Sequence, residues 1–232
     1  MDEDFKMDKN VATNPVIAYF DSVAEFYDNE SADYSEEQIE DLDEAHEQLS
    51  QLLAGHRILE LGCGTGGWTE VLAETAESIV AVDASAAMLE QARTHGEALA
   101  NVTYRQADVL DLPDDLAGDG GKFTAVFMGG LWSHLTRDQQ DLLLASLKKR
   151  VGKDVLLVLF DDDYVEGESA TIARTDLQGN TYEILQDADG NRHELPKGYP
   201  TDSALRKKLG NAGREIKIAR WEFYRVLTCR LK

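Results

Sequence analysis

The chain has 232 residues and carries 44 Asp and Glu against 23 Lys and Arg, which gives a formal net charge of −21. Its hydrophobic content of 43% suffices for a folded domain with a buried core and excludes a wholly disordered chain. No apolar run reaches the roughly 18 to 20 residues of a membrane-spanning helix. The negative charge disfavours a polynucleotide partner, because phosphates repel an acidic protein.

The charge is unevenly distributed along the chain. Residues 1–50 contain 16 acidic and 2 basic residues, whereas residues 197–232 contain 3 acidic and 10 basic residues. The basic segment leaves open a face for a small anion, although a solvated surface is the simpler interpretation. The first residues lack the features of a secretory signal, and Cys63 and Cys229 suit neither a disulfide framework nor a zinc site. We therefore expect a cytoplasmic protein with reduced cysteines.

Two helices are predicted before the first strand. Residues 14–28 form the first, and Pro15 suits its opening position because a proline there loses no hydrogen bond. The second helix begins after Ser35, which opens a capping box, and ends before Gly55. We interpret residues 1–54 as an N-terminal helical lid.

From residue 57, short apolar strands alternate with helices over a predicted α/β domain of residues 55–232. The predicted strands are 57–61, 78–82, 102–106, 123–128 and 154–160, and the helices between them are 66–76, 85–98 and 137–150. Continuous apolar runs are typical of strands buried on both faces, and the alternation predicts a doubly wound parallel sheet.

The end of the chain breaks this alternation. Residues 171–195 are predicted to form a β-meander within an insertion at 163–200, where it would cover an acceptor cavity. A helix at 202–210 and strands at 214–219 and 222–231 follow. The connection between these two strands is too short for a helical crossover, so we expect them to pair antiparallel.

A glycine-rich turn directly follows the first strand. Gly62, Gly64 and Gly66 allow a sharp turn and a close approach to a ligand, and the next helix directs its N-terminal N–H groups there. Such a loop at the carboxyl edge of a parallel sheet binds nucleotides. Together with Gly67, the loop also satisfies the dinucleotide fingerprint, and Asp83 at the end of the second strand suits a ribose in either case. The loop alone therefore leaves two kinds of nucleotide cofactor open.

Three further residues favour a nucleotide cofactor that carries both an ammonium group and an adenine. Glu60 precedes the first glycine by two positions, where it could hold a ligand's ammonium group or brace the loop. Asp108 ends the third strand and could accept a hydrogen bond from an adenine amino group. Met88 begins a helical turn that could cover the face of an adenine.

The combined pattern resembles the class I S-adenosylmethionine-dependent methyltransferases. The specific segments are Glu60–Gly66, Asp83–Met88 and Gln106–Asp108, within a resemblance that extends from about Tyr19 to Arg230. It implies a Rossmann-like seven-stranded sheet with an antiparallel last strand. It also implies S-adenosyl-L-methionine as cofactor, S-adenosyl-L-homocysteine as product, and no metal. The N-terminal helix is similar to that of small-molecule members, including quinone-biosynthesis methyltransferases.

The resemblance assigns roles by position. The glycine loop would cradle the methionine portion of the cofactor. Asp83 would bind the ribose hydroxyls, and Asp108 would bind the adenine. Met128 and Gly129 would lie beneath the transferring methyl group. The complete implied set is Tyr27, Glu60, Gly62, Gly64, Gly66, Asp83, Ala84, Met88, Asp108, Val109, Met128 and Gly129.

The acceptor side is less specific. His134 follows the fourth strand, where it could deprotonate an acceptor or merely support its loop. Aromatic side chains at 132, 199 and 221 could wall the acceptor pocket or pack in the core, and Arg174 and Arg192 could bind an acceptor carboxylate. The acidic run 161–163 is interpreted as a solvated strand end rather than a metal site.

We therefore expect an enzyme that transfers a methyl group from S-adenosylmethionine to a small-molecule acceptor by in-line displacement. A tRNA or protein methyltransferase on the same fold is one alternative. A dehydrogenase that uses NAD and a non-catalytic module that retains the cofactor pocket are the others.

Overall fold

A computed structural model of the protein describes residues 14–29, 34–117 and 121–232. The acidic segment 1–13, part of the predicted lid, lies outside the described residues. The helices are α1 Pro15–Val23, α2 Glu36–Leu53, α3 Gly67–Ala73, α4 Ala86–His95, α5 Arg137–Arg150 and α6 Asp202–Leu209. The strands are β1 Arg57–Leu61, β2 Ser78–Asp83, β3 Val102–Gln106, β4 Ala125–Gly129, β5 Leu156–Asp162, β6 Arg174–Thr175, β7 Thr181–Gln186, β8 Arg192–Pro196, β9 Gly213–Arg220 and β10 Tyr224–Leu231.

A seven-stranded sheet in the order β3-β2-β1-β4-β5-β10-β9 forms the centre of the molecule. Strands β1 to β5 pair in parallel, whereas β10 pairs antiparallel with both β5 and β9. The predicted α/β fold with an antiparallel last strand is confirmed. Because β1 and β4 are adjacent, the chain reverses its winding there, and the loops after these strands border one crevice.

The core lies on both faces of this sheet. One face carries a cluster of apolar side chains beneath α5 and α6, and the other carries a cluster beneath α2, α3 and α4. Strand β4 is fully enclosed over residues 125–128, which explains its uninterrupted apolar sequence.

Two predicted helix starts are confirmed in detail. Ser35 accepts a hydrogen bond from the backbone of Gln38, and the Gln38 side chain accepts one from the Ser35 backbone. Thr136 and Gln139 form the same reciprocal pair at the start of α5. The first helix is shorter than predicted, because α1 ends at Val23 and turns follow it.

The predicted meander forms a separate three-stranded antiparallel sheet in the order β6-β7-β8. Helix α1 packs between β8 and α4. Tyr19 on α1 makes an edge-on contact with His193 on β8, with ring centroids 5.3 Å apart. The helix and the small sheet thus lie together over the carboxyl edge of the main sheet.

Candidate functional site

A cavity of about 450 Å³ lies at the carboxyl edge of the main sheet, under α1 and the small sheet. Its volume is within the range of small-molecule sites. Nine residues of the implied cofactor set and the predicted base line it: Tyr27, Gly62, Gly64, Asp83, Ala84, Met88, Asp108, Val109, Gly129 and His134. The fold therefore brings into one space segments that are far apart in the chain.

The glycine loop forms the floor of this cavity. The backbone N–H groups of Gly62 and Cys63 both donate to the carbonyl of Val82, at 2.8 and 3.1 Å, which fastens the loop to β2. Gly62 and Gly64 have φ angles of 71° and 54°, in the region that favours glycine. A Cβ at Gly64 would meet no atom of the described residues within 4 Å, so these residues leave the space above the loop open to a ligand.

Asp83 connects the glycine loop to the start of α4. One carboxylate oxygen accepts the Gly64 N–H at 2.9 Å, and the other accepts the Ser85 N–H at 2.8 Å. Burial raises the pKa of Asp83, while the backbone donors lower it. Ser85 in turn caps α4 by accepting the N–H of Met88. Any ligand that contacts Asp83 therefore contacts a carboxylate fixed from two sides.

The opposite end of the cavity holds the residues predicted to surround an adenine. Asp108 has one carboxylate oxygen bound to the Leu110 N–H at 2.9 Å, which leaves the other oxygen for a ligand. The side chain of Met88 is 1% exposed and borders the cavity from α4. Val109 and Ala84 complete this apolar part of the lining.

Three residues of the predicted set do not line the cavity. Glu60 is buried, and its carboxylate accepts the Thr69 hydroxyl at 2.7 Å, so its placement fits a brace of the loop. Burial raises the pKa of Glu60 to about 8. Gly66 starts α3 with a φ of 95°. Met128 differs from the expectation, because the alternation of β4 directs it into the core under α5.

Helix α1 is fastened over the cavity at two points. The Ser85 hydroxyl donates to the Asp21 carboxylate at 2.6 Å, and the Thr65 hydroxyl donates to Asp28, just beyond α1, at 2.7 Å. Phe20 on α1 borders the cavity and contacts the His134 ring edge-on at 5.7 Å. The helix thus contacts both the predicted cofactor side and the predicted acceptor side.

His134 is held in one orientation at the acceptor side. Its Nδ1 lies 3.0 Å from the carbonyl oxygen of Pro196, so Nδ1 carries the proton and donates it in this hydrogen bond. Burial and the nearby Lys197 ammonium lower the pKa of His134 to about 4. The imidazole is therefore neutral at pH 7, and no hydrogen bond among the described residues engages Nε2.

A group of charged side chains at the end of β5 was not foreseen as part of the site. Asp161 is 2% exposed and accepts the backbone N–H of Ser133 at 2.8 Å, so the prediction of a solvated strand end is wrong for it. Asp162 lines the cavity and binds the Lys197 ammonium at 2.5 Å. No sequence motif marks Lys197, which lies between the meander and α6.

Other acceptor-side expectations have mixed outcomes. Tyr199 lines the cavity, as expected for a wall residue. Trp132 is buried in the core, and Trp221 packs near the Phe160 ring outside the cavity. Arg174 and Arg192 are exposed outside the cavity, where Arg174 pairs with Glu194 on the small sheet.

Two further observations concern the described part of the chain. It contains no cluster of three or more His, Cys, Asp or Glu side chains placed to hold a metal ion. Within the same residues, no helix combines the length and the hydropathy needed to cross a bilayer.

Comparison with known proteins gives matches of three kinds. Residues 58–154 match the family model described as "Methyltransferase domain". A ubiquinone biosynthesis O-methyltransferase of Acinetobacter baylyi is 38% identical over 68 residues, which cover 28% of this chain and 29% of that relative. An uncharacterized methyltransferase of Anoxybacillus flavithermus is 27% identical over a match that covers 69% of this chain and 74% of that relative. The first curated relatives are thus matched over about a third of their length or less.

A solved structure shares the whole fold. The DhpI-SAM-HEP complex superposes with a TM-score of 0.73 over 97% of this chain and 100% of its own, at 23% identity. The matched domain, the order of the strands and the glycine loop with its acidic partners agree with one another. Together they support the resemblance of this chain to the class I S-adenosylmethionine-dependent methyltransferases, with the family match itself confined to residues 58–154.

Proposed function

We propose that this protein transfers a methyl group from S-adenosylmethionine to a hydroxyl group of a small molecule. One observation carries the proposal: a single cavity joins the glycine loop, Asp83 and Asp108 on one side to His134 on the other. A hydroxyl acceptor is supported by the position of His134, whose Nε2 is engaged by no hydrogen bond among the described residues, and by the O-methyltransferase name of the curated relatives.

The cofactor side of the cavity suits S-adenosylmethionine by its shape and donor set. The open space above Gly64 would accept the methionine portion. Asp83 would accept hydrogen bonds from the ribose hydroxyls, and Asp108 would accept one from the adenine amino group. When bound, the cofactor supplies an electrophilic methyl group on a sulfonium sulfur.

The chain's own residues would position the acceptor and manage its proton. With the cofactor bound, the acceptor oxygen would take the methyl group from the sulfonium, and the electron pair of the broken S–CH₃ bond would remain on the departing thioether. The proton of the hydroxyl passes to Nε2 of His134, which the Pro196 carbonyl holds in the required tautomer. The cover formed by α1 and the small sheet excludes water, and water would otherwise compete with the acceptor.

The topology argues against the dehydrogenase alternative. The dinucleotide-binding fold has the strand order 3-2-1-4-5-6, whereas here an antiparallel β10 lies between β5 and β9. The small cavity and the net charge of −21 favour a small acceptor over tRNA.

A pair of histidine variants tests the role of His134. In His134→Asn, the amide can still donate to the Pro196 carbonyl, but it cannot accept the proton. We expect methyl transfer to a panel of phenols and hydroxy acids to fall by roughly 10²- to 10⁴-fold, with unchanged affinity for S-adenosylhomocysteine. His56→Asn is the matched control, because His56 lies before β1 at the far edge of the sheet and bonds Thr124. Equal rates for His134→Asn and the wild type would contradict the assignment of the base.

A further inference from the structure

The side chain of Lys197 places a buried cation beside the acceptor part of the cavity. Lys197 is 7% exposed and lines the cavity. Its ammonium lies 2.5 Å from the Asp162 carboxylate and 5.6 Å from the centroid of the Tyr199 ring. A charged group this deeply buried requires several polar partners, because it has lost its water.

The backbone around Lys197 is fixed to the same turn that carries His134. The Lys197 N–H donates to the Thr181 carbonyl at 2.9 Å, and the Gly198 N–H donates to the Ser133 carbonyl at 3.0 Å. The Pro196 carbonyl accepts from His134 in the same stretch. The end of the inserted sheet therefore anchors Lys197 and His134 to the same turn, and the Lys197 ammonium is near enough to lower the pKa of His134.

The ammonium has hydrogen-bonding capacity left over. It carries three N–H donors, and the hydrogen bonds among the described residues assign it one acceptor, Asp162. A second carboxylate, that of the buried Asp161, also raises the pKa of Lys197 but accepts the Ser133 N–H. Asp163 is paired with Arg220 and lies 3.4 Å from Arg225. The remaining donors of Lys197 are thus free for a ligand in the cavity.

The other walls indicate what kind of ligand this is. Aromatic side chains line the cavity from several elements: Phe20, Tyr27, Tyr34, Tyr199, Phe223 and Tyr224. Such walls favour a flat, ring-containing molecule. Two acids also border the cavity, the buried Glu183 and the exposed Glu168, so an amine is the rival occupant that an experiment must distinguish.

We propose that the acceptor is an aromatic hydroxy compound that also carries a carboxylate, and that Lys197 binds this carboxylate and thereby selects the substrate. This inference rests on the proposed methyl transfer. In that role Lys197 contacts the acceptor but takes no part in the exchange of bonds. It orients the ring so that the hydroxyl lies between His134 and the methyl group.

Three nearly isosteric probes test the proposal with the full chain saturated with S-adenosylhomocysteine. They are 4-hydroxybenzoate, 4-hydroxybenzamide and 4-hydroxybenzylamine, with binding measured by calorimetry. We expect the wild type to bind the acid roughly 10- to 100-fold more tightly than the amide, the range expected for one hydrogen bond between charged groups. Lys197→Met should abolish this preference, and Lys197→Arg should keep part of it.

The removal of Lys197 leaves Asp162 without its cation, so Lys197→Met alone can fail to fold. The double variant Lys197→Met with Asp162→Asn removes both charges and keeps the cluster neutral. A preference for the acid that survives in this variant would overturn the proposal, and so would tighter wild-type binding of the amine or no detectable binding of the acid. The affinity for S-adenosylhomocysteine distinguishes the claim of methyl transfer from the claim about Lys197. Loss of cofactor binding in the wild type would count against methyl transfer itself, whereas cofactor binding without acid preference would count only against Lys197.

Discussion

The buried neutral state of His134 makes a definite prediction for the pH dependence of stability. The substitution His134→Asn removes the titrating group and retains a donor for the Pro196 carbonyl, 3.0 Å away in the wild type. The smaller side chain also loses packing contacts, and this loss lowers the free energy of unfolding by an amount that does not vary with pH. The difference between the two proteins therefore isolates the ionisation of one imidazole.

The size and the sign of the effect follow from the pKa. Burial lowers the pKa of His134 from 6.5 to about 4 in the folded protein. Since the unfolded chain takes up the proton first as the pH falls, the folded state is favoured above about pH 6.5 and loses this advantage towards pH 4. A shift of this size corresponds to a loss of about 3 kcal/mol in the free energy of unfolding.

Urea unfolding followed by tryptophan fluorescence measures this quantity at several values between about pH 7.5 and pH 4.5. We expect the free energy of unfolding of the wild type to fall more steeply on acidification than that of His134→Asn. The His56→Asn control should follow the wild type more closely. Parallel curves for the wild type and His134→Asn would refute the reasoning, because the imidazole would then ionise equally in both states.

Three other substitutions test the geometry of the cavity. Asp83→Asn, which replaces an acceptor of two backbone N–H groups, should weaken S-adenosylhomocysteine binding by at least about tenfold in calorimetry; unchanged affinity would remove Asp83 from the site. Gly129→Ala should lower the free energy of unfolding by about 1–3 kcal/mol in urea titrations, because the added Cβ would lie 2.7 Å from Trp68. An undiminished stability would show that the ring moves aside freely. Asp21→Ala breaks the hydrogen bond to Ser85 and should speed cofactor dissociation in stopped-flow measurements, whereas an unchanged rate would contradict the lid.

Much of the fold could be predicted because its signals are local. Apolar runs such as Val155–Phe160 mark strands buried on both faces, and the capping boxes at Ser35 and Thr136 mark helix starts to the residue. The end of α1 was less predictable. Apolar residues continue to Tyr27, but past Val23 the chain turns to bring Asp28 to Thr65, a contact between distant segments.

The cofactor side and the acceptor side of the cavity also differ in how far local sequence signals predict them. Gly62, Gly64 and Asp83 belong to short motifs, so their positions on the cavity could be predicted from spacing alone. The place of Lys197 depends on how the small sheet folds back onto the turn at Ser133, which no local pattern reveals. For Met128, the position at the end of β4 was predicted correctly, but the face of the sheet on which its side chain lies was not.

The central claim is that the cavity binds S-adenosylmethionine and its product, and calorimetric titration of the wild-type protein with S-adenosylhomocysteine tests it most directly. Thermal unfolding gives a parallel readout, since a ligand at about 100 times its dissociation constant adds roughly 2.7 kcal/mol to the free energy of unfolding. We predict saturable binding of one S-adenosylhomocysteine per chain and none of NAD. Binding of NAD without binding of S-adenosylhomocysteine would contradict the account.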